Sequence, residues 1–314
     1  MDILNDLSAM PYPTLAALAA VVLIGLPHGA LDGAIALHLG FFKSTRSFAR
    51  FISVYVAAAF GVLGAWLIAP VLSLCTFLMV SLYHFGAGDA RTGTGWRRIA
   101  EILAHGGLVI AGISQFHRAE VDTIFGYLVG GQTAMVWHLI DAMSIIVVLA
   151  CLFCVAKGIL HKPWRGNAAE LILLGVTFAF APPLVGFAFY FCFVHSARHL
   201  QTIVDILGAT ASKPAILIQA LVFTLASWGA GAAAFWSLSG VGSVDAALLR
   251  VVFIGLAALT LPHIVLVDGL FRPGSQKNDE QIHPAPIPLR HRRSEALLPE
   301  AAFRREMVVN EFRK

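Results

Sequence analysis

His195 and His199 stand four residues apart. On a helix that spacing puts both imidazoles on one face, about 6 Å apart at Cβ, where two rings can ligate one ion. Three further histidines, His28, His84 and His263, sit inside apolar runs elsewhere in the chain. A ring nitrogen left without a partner in an apolar setting costs roughly 2 to 7 kcal/mol. Imidazoles carried to that depth by separate helices should therefore share a partner or line a wet cavity, and one metal ion would satisfy them together. Pro27 and Pro262 directly precede two of these histidines. Each proline frees the carbonyl four residues back, at Leu23 and Ala258, and bends its helix where a ligand cavity needs room. Asp32, four residues after His28, and Asp268, five after His263, are candidate acceptors for ligand-ring N–H groups. Each feature also has a plainer reading, in which a histidine packs through one hydrogen bond and the two aspartates face water at the inner boundary.

Aromatic residues crowd the same segments. Tyr83 and Phe85 flank His84, and Phe187, Tyr190 and Phe191 lead into His195, a stretch able to wall a pocket for a long apolar molecule or to face lipid. His38, His105 and His138 read as structural or interfacial, and Glu101, Glu170 and Asp205 remain ambiguous.

The elements that must carry these side chains are set by composition. The 314 residues are 58% hydrophobic and 13% charged, with a mean hydropathy of +0.78, where a soluble domain carries about 25% charge. That excludes an ordinary soluble protein. The 22 basic residues exceed the 18 acidic ones, but they are scattered rather than gathered on a face, so nucleic acid is not an expected partner. The four cysteines all lie in apolar runs and support neither a disulfide framework nor a zinc ribbon.

A bilayer crossing needs about 20 largely apolar residues. Such runs fall at 14–39, 47–69, 70–88, 98–116, 132–158, 168–181, 183–206, 214–239 and 246–270. The expectation is an all-α polytopic integral membrane helix bundle of nine spans, with eight spans and one re-entrant segment as the alternative. Ala69-Pro70 and Pro182-Pro183 should break the long runs, because proline lacks a backbone donor and pushes the preceding residue away from helical geometry. Loop charge orients the bundle. With the N-terminus outside, Lys43, Arg46, Arg50, Arg91, Arg97, Arg98, Lys157, Lys162, Arg165 and Lys213 all fall inside, and the opposite loops hold only Arg118. On that reading the five histidines lie on odd-numbered, co-directional helices in one layer. Residues 1–271 form the membrane domain, and 272–314, rich in proline and arginine, form a basic cytoplasmic tail, solvated or lying as a surface helix. The start, with Asp2 and Asp6, does not read as a cleaved signal peptide.

The strings Gly25-Leu26-Pro27-His28-Gly29-Ala30-Leu31-Asp32, Ser81-Leu82-Tyr83-His84-Phe85-Gly86, Phe193-Val194-His195-Ser196-Ala197-Arg198-His199 and Leu261-Pro262-His263 resemble the Brp/Blh family of β-carotene 15,15′-dioxygenases. The resemblance covers all nine spans and omits the tail. It implies a multi-pass enzyme of the cell (inner or plasma) membrane that uses Fe(II) and O2 to split the central double bond of β-carotene into two molecules of retinal, typically to supply a microbial rhodopsin. It assigns iron binding to His28, His84, His195 and His199, and matches His263 to a further motif position. Neutral imidazoles suit Fe(II), and four of them leave coordination positions for O2.

Other classes fit the same histidines less well. A di-iron desaturase needs about eight histidines in clustered motifs, and this chain has one close pair. A haem-binding bundle or a transporter using the histidines for cargo is the alternative function, although no repeat beyond the echo of Leu26-Pro27-His28 in Leu261-Pro262-His263 supports a transporter's paired halves.

Overall fold

A computed structural model describes residues 10–91, 94–207, 213–240 and 242–271, apart from the side chains at 28, 206, 213, 270 and 271. The basic tail expected over 272–314 lies outside the described residues. Helices account for nearly everything described: α1 (Tyr12–His38), α2 (Thr45–Ile68), α3 (Pro70–Asp89), α4 (Gly95–Phe116), α5 (Arg118–Val129), α6 (Ala134–Leu160), α7 (Arg165–Phe180), α8 (183–207), α9 (Lys213–Ser239) and α10 (Val244–Ile264). No strand occurs among the described residues.

Seven of these helices, α1, α2, α3, α4, α6, α9 and α10, are long and apolar enough to cross a membrane. The other two expected spans correspond to α7, whose 16 residues extend about 24 Å, and α8, whose apolar character is interrupted by His195, Arg198 and His199. The short α5, 12 residues, was not expected as an element.

The breaks follow from local chemistry. Pro70 and Pro183 each occupy the first position of a helix, where a missing N–H costs nothing. Ser44 and Ser243 cap α2 and α10 by accepting from the amides of Ser47 and Ala246. Gly130, with φ 66°, supplies the left-handed residue that ends α5.

Five of the helical stretches loosen or tighten where they meet the candidate histidines or the helix beside them. Val21–Gly25, Leu108–Gly112, Tyr190–His195 and Val265–Phe271 are π-helical, and Leu26–Leu31 is a 3-10 turn. In α1 this changes which carbonyl is released. With i→i+5 pairing, the group that Pro27 leaves without a donor is Val22, five residues back, rather than Leu23, and the indole of Trp228 on α9 donates to it at 2.9 Å. Elsewhere the bundle closes through small residues. A Cβ on Gly106 would collide with the carbonyl oxygen of Leu82, and one on Gly86 with that of Ile102, so α3 and α4 touch backbone to backbone. The outer surfaces of α2, α6 and α9 are apolar and exposed, as at Leu67, Leu152 and Leu217, the expected state for side chains solvated by lipid.

Candidate metal centre and substrate cavity

His84, His195, His199 and His263, from α3, α8 and α10, converge in the interior, each no more than 6% exposed. The His84 ring centroid lies 5.0 Å from that of His195, 6.3 Å from His199 and 5.2 Å from His263. His199 and His263 are 5.1 Å apart. The i, i+4 expectation for α8 takes concrete form here: the His195 and His199 rings stand 6.1 Å apart and within 5° of parallel. Of His28, the backbone lies in the 3-10 turn of α1, and its side chain is outside the described residues.

Two carboxylates orient this cluster, and each reaches across the bundle. His263 Nδ1 donates to Asp32 on α1 at 2.8 Å, and His84 Nδ1 donates to Asp268 at 3.1 Å. Asp32, fully buried, also accepts from the hydroxyl of Tyr55 on α2 at 2.8 Å. Neither aspartate is a water-facing boundary residue in the sense of the plainer reading: Asp32 is at 0% exposure and the Asp268 side chain at 11%. Proximity in sequence to His28 and His263 does not set the partners, because the fold pairs each aspartate with a histidine from a different motif. With Nδ1 held, Nε2 is the nitrogen each ring turns away from its carboxylate, and the Nε2 atoms of all four histidines are sealed from solvent. Four imidazoles, two of them oriented by carboxylates, are a donor set suited to a borderline divalent metal such as Fe(II).

A second polar cluster lies beside the first. Asp89, His105 and Glu170 place potential ligand atoms within 4.8 Å of one another, which makes them metal-capable by type. Their carboxylates are already engaged. Arg198 bonds Asp89 at 2.8 Å and Glu170 at 2.7 Å, Arg91 pairs with Glu170, and the hydroxyl of Tyr190 donates to Asp89 at 2.6 Å. Two guanidinium groups balance two carboxylates, so a divalent cation would have to displace an arginine. The imidazole cluster is the better metal site on this ground. Sequence reasoning left Glu170 ambiguous, read His105 as structural or interfacial and passed over Asp89, because nothing in the linear spacing links three residues on three helices.

An apolar cavity, whose empty space counted together with open solvent is about 1310 Å³, ends on His84, His195 and His263. Phe85, Phe187 and Phe191 line it. Tyr83 and Tyr190 do not: Tyr83 is 51% exposed on the outer face of α3, and Tyr190 is buried against Asp89. Tyr55 and Phe223, whose rings meet at 6.5 Å, line the half-buried side of the cavity and were not anticipated, since each lies in a span without a candidate ligand.

Residues 19–271 match the family model described as beta-carotene 15,15′-dioxygenase. The chain belongs to that family. It is 35% identical over 271 residues to "Beta-carotene 15,15′-dioxygenase" of an uncultured marine bacterium, 66A03, covering 83% of this chain and 95% of the relative. It is 28% identical over 289 residues to "Probable beta-carotene 15,15′-dioxygenase Blh" of Halobacterium salinarum, covering 81% and 83% respectively. No solved structure is significantly similar to it. The family match begins before Pro27 and ends with the described residues, and so includes every histidine of the cluster and both aspartates that hold it.

Proposed function

We propose that this family member is an Fe(II)-dependent dioxygenase of the cell (inner or plasma) membrane that cleaves the central double bond of β-carotene with O2, giving two molecules of retinal. The observation that carries the reading is the junction of a buried imidazole cluster with an apolar cavity. The iron ligands are His28, His84, His195 and His199, with His263 in the same cluster and as close to His84 as His195 is. Bound Fe(II) supplies the one-electron chemistry that lets O2 react with an otherwise unreactive alkene.

The chain's own residues do the rest. Asp268 and Asp32 fix the rings of His84 and His263 so that the same nitrogen points inward on each. Phe85 and Phe191, whose rings lie 4.8 Å and 6.2 Å from that of His195, border the site with π-faces that stabilise positive charge on a polyene. The apolar cavity walls exclude water and hold the substrate in one orientation, converting a diffusional encounter into a positioned one. The bonds that break are one C=C and the O–O bond of O2; the two that form are the C=O groups of the products, one oxygen atom in each. Retinal leaves into lipid, where a microbial rhodopsin is a natural acceptor.

Expression in a carotene-producing bacterium tests the reading. Wild-type protein should bleach the cells with accumulation of retinal, and His195→Ala, present in membranes at equal level, should leave the carotene intact. Unchanged carotene in the wild-type strain would overturn the proposal.

A further inference from the structure

The cavity has an orderly construction that the cleavage reaction alone does not require. On α3, Leu74, Leu78, Ser81 and His84 line it at steps of three and four residues. On α8 the line is Leu184, Phe187, Phe191 and His195; on α10 it is Phe253, Leu256, Thr260 and His263. Each helix therefore presents one continuous stripe to the cavity, and each stripe terminates on a histidine of the cluster. The far ends stand ten or eleven residues before the histidine, about 15 Å along a helix axis, a length on the order of half an extended carotene.

What lies at those far ends is α5. Val121, Phe125 and Leu128 line the cavity there and are each no more than 6% exposed, together with Ser114 at the end of α4. The opposite side, at Tyr55, Phe223 and Ser227, is only half-buried. The short helix is also tied down. The indole of Trp66 on α2 donates to the Leu128 carbonyl at 3.0 Å, and Arg250 on α10 donates to the Tyr127 carbonyl at 2.8 Å, so two of the carbonyls released at the C-terminal end of α5 are held by neighbouring helices. Near its start, Trp137 on α6 donates to Asp122 at 2.7 Å, and Arg118 forms a bidentate pair with Asp141 while lying 4.1 Å over the Trp137 ring. The Phe125 ring packs on that same indole at 5.7 Å.

We infer that α5 is the stop for the ring end of the carotenoid, and that Phe125 is the specificity-determining residue that sets which double bond reaches the histidines. This rests on the cleavage reading above and adds to it a register device: a rigid, linear polyene that halts against a fixed apolar wall presents the bond lying one trough-length from its ring, whatever the length of the other half. Regioselectivity is then measured from one end of the substrate rather than from its middle.

Two kinds of measurement test this, both in membranes containing the full chain. Phe125→Leu and Ile124→Ala each deepen the trough by a few methylene equivalents, and one such group is worth roughly tenfold or more in discrimination within an apolar site. Either variant should raise at least about tenfold the share of an unequal product pair, one fragment longer and one shorter than retinal, resolved by chromatography and mass spectrometry. A loss of stability alone would lower turnover without moving the cut. Separately, the wild type given a series of single-ringed apocarotenoids of increasing length should release retinal from the ring end every time. Cleavage confined to the central bond in whichever variant accumulates, or a cut in the series that moves with total length, overturns the inference and leaves the proposed reaction standing. Absence of any cleavage by the wild type removes the reaction and this inference with it.

Discussion

At the scale of single residues, the site is governed by what holds the imidazoles rather than by the imidazoles alone. Asp32 and Asp268 each occupy one nitrogen of a clustered histidine, Asp32 fully buried and the Asp268 side chain 11% exposed, so each needs such a partner. Asp32→Asn and Asp268→Asn preserve shape but replace a pure acceptor by a group that also donates, so the ring nitrogen that faces the cluster loses its fixed identity. Carboxylate partners of this kind typically contribute 10- to 100-fold to metal affinity or activity. Each variant should therefore lose about that factor in retinal formation and in bound iron measured by elemental analysis, at unchanged membrane abundance. An unaltered iron content in both would show that the pairs serve packing only. Of the five histidines singled out in apolar runs, His84, His195, His199 and His263 come together. Their carboxylate partners were legible as residues and not as pairs, because Asp32 meets His263 across 231 positions and Asp268 meets His84 across 184.

At the scale of elements, the departures from regular α-helix are what aim the side chains. The π turn at Tyr190–His195 directly precedes Ser196–Leu207, and the hydroxyl of Ser196 donates to the Phe191 carbonyl five residues back at 2.6 Å, satisfying a group that the wider turn displaces. Such turns are invisible to a 3.6-residue pattern, and so is α5, whose 12 residues with Arg118, Glu120 and Asp122 read as a loop in an apolar chain. Its Asp122 carboxyl is held below the ordinary carboxylate range by hydrogen bonds from Thr133 and Trp137, which marks it as part of the anchor. The proline breaks, by contrast, were plain, since proline acts on its own neighbours whatever the tertiary structure. The tight α3–α4 contact makes its own demand. Gly106→Ala puts a methyl against the Leu82 carbonyl, and backbone cannot yield as a flexible side chain can, so the variant should lose about 1 to 3 kcal/mol. Thermal unfolding in detergent would show this as a lowered midpoint, with Gly229→Ala, where a Cβ meets open space, as the unshifted control.

At the scale of the whole molecule, the ten helices of the described residues divide between those that cross and those that do not. By apolar length, seven of the described helices can cross; the remaining helices are decided by what they carry. α5 extends about 18 Å, too short for a hydrocarbon core of about 30 Å, and its Arg118–Asp141 pair is nearly half exposed, as fits an aqueous boundary. Much of the polar burden that keeps α8 from reading as an apolar span turns inward: His195 and His199 are buried in the imidazole cluster, and Arg198, its side chain 40% exposed, pairs with Asp89 and Glu170. A helix that is polar inward and apolar outward crosses a membrane as part of a bundle, which a hydropathy window on one chain does not register. The distribution of loop charge predicts a direction, and that prediction depends on α5 staying on one side. Between Lys43 and Gln132 the chain passes α2, α3 and α4, an odd number of crossings, so the two positions must face opposite compartments. With the native cysteines half-buried or buried, Gln132→Cys should react with a membrane-impermeant thiol reagent in intact cells, and Lys43→Cys only after permeabilisation. Labelling of both in intact cells would mean that α5 crosses or that one of the three helices does not, and labelling in the reverse order would invert the bundle, placing the basic loops outside, against the attraction of positive charge to the cytoplasmic face.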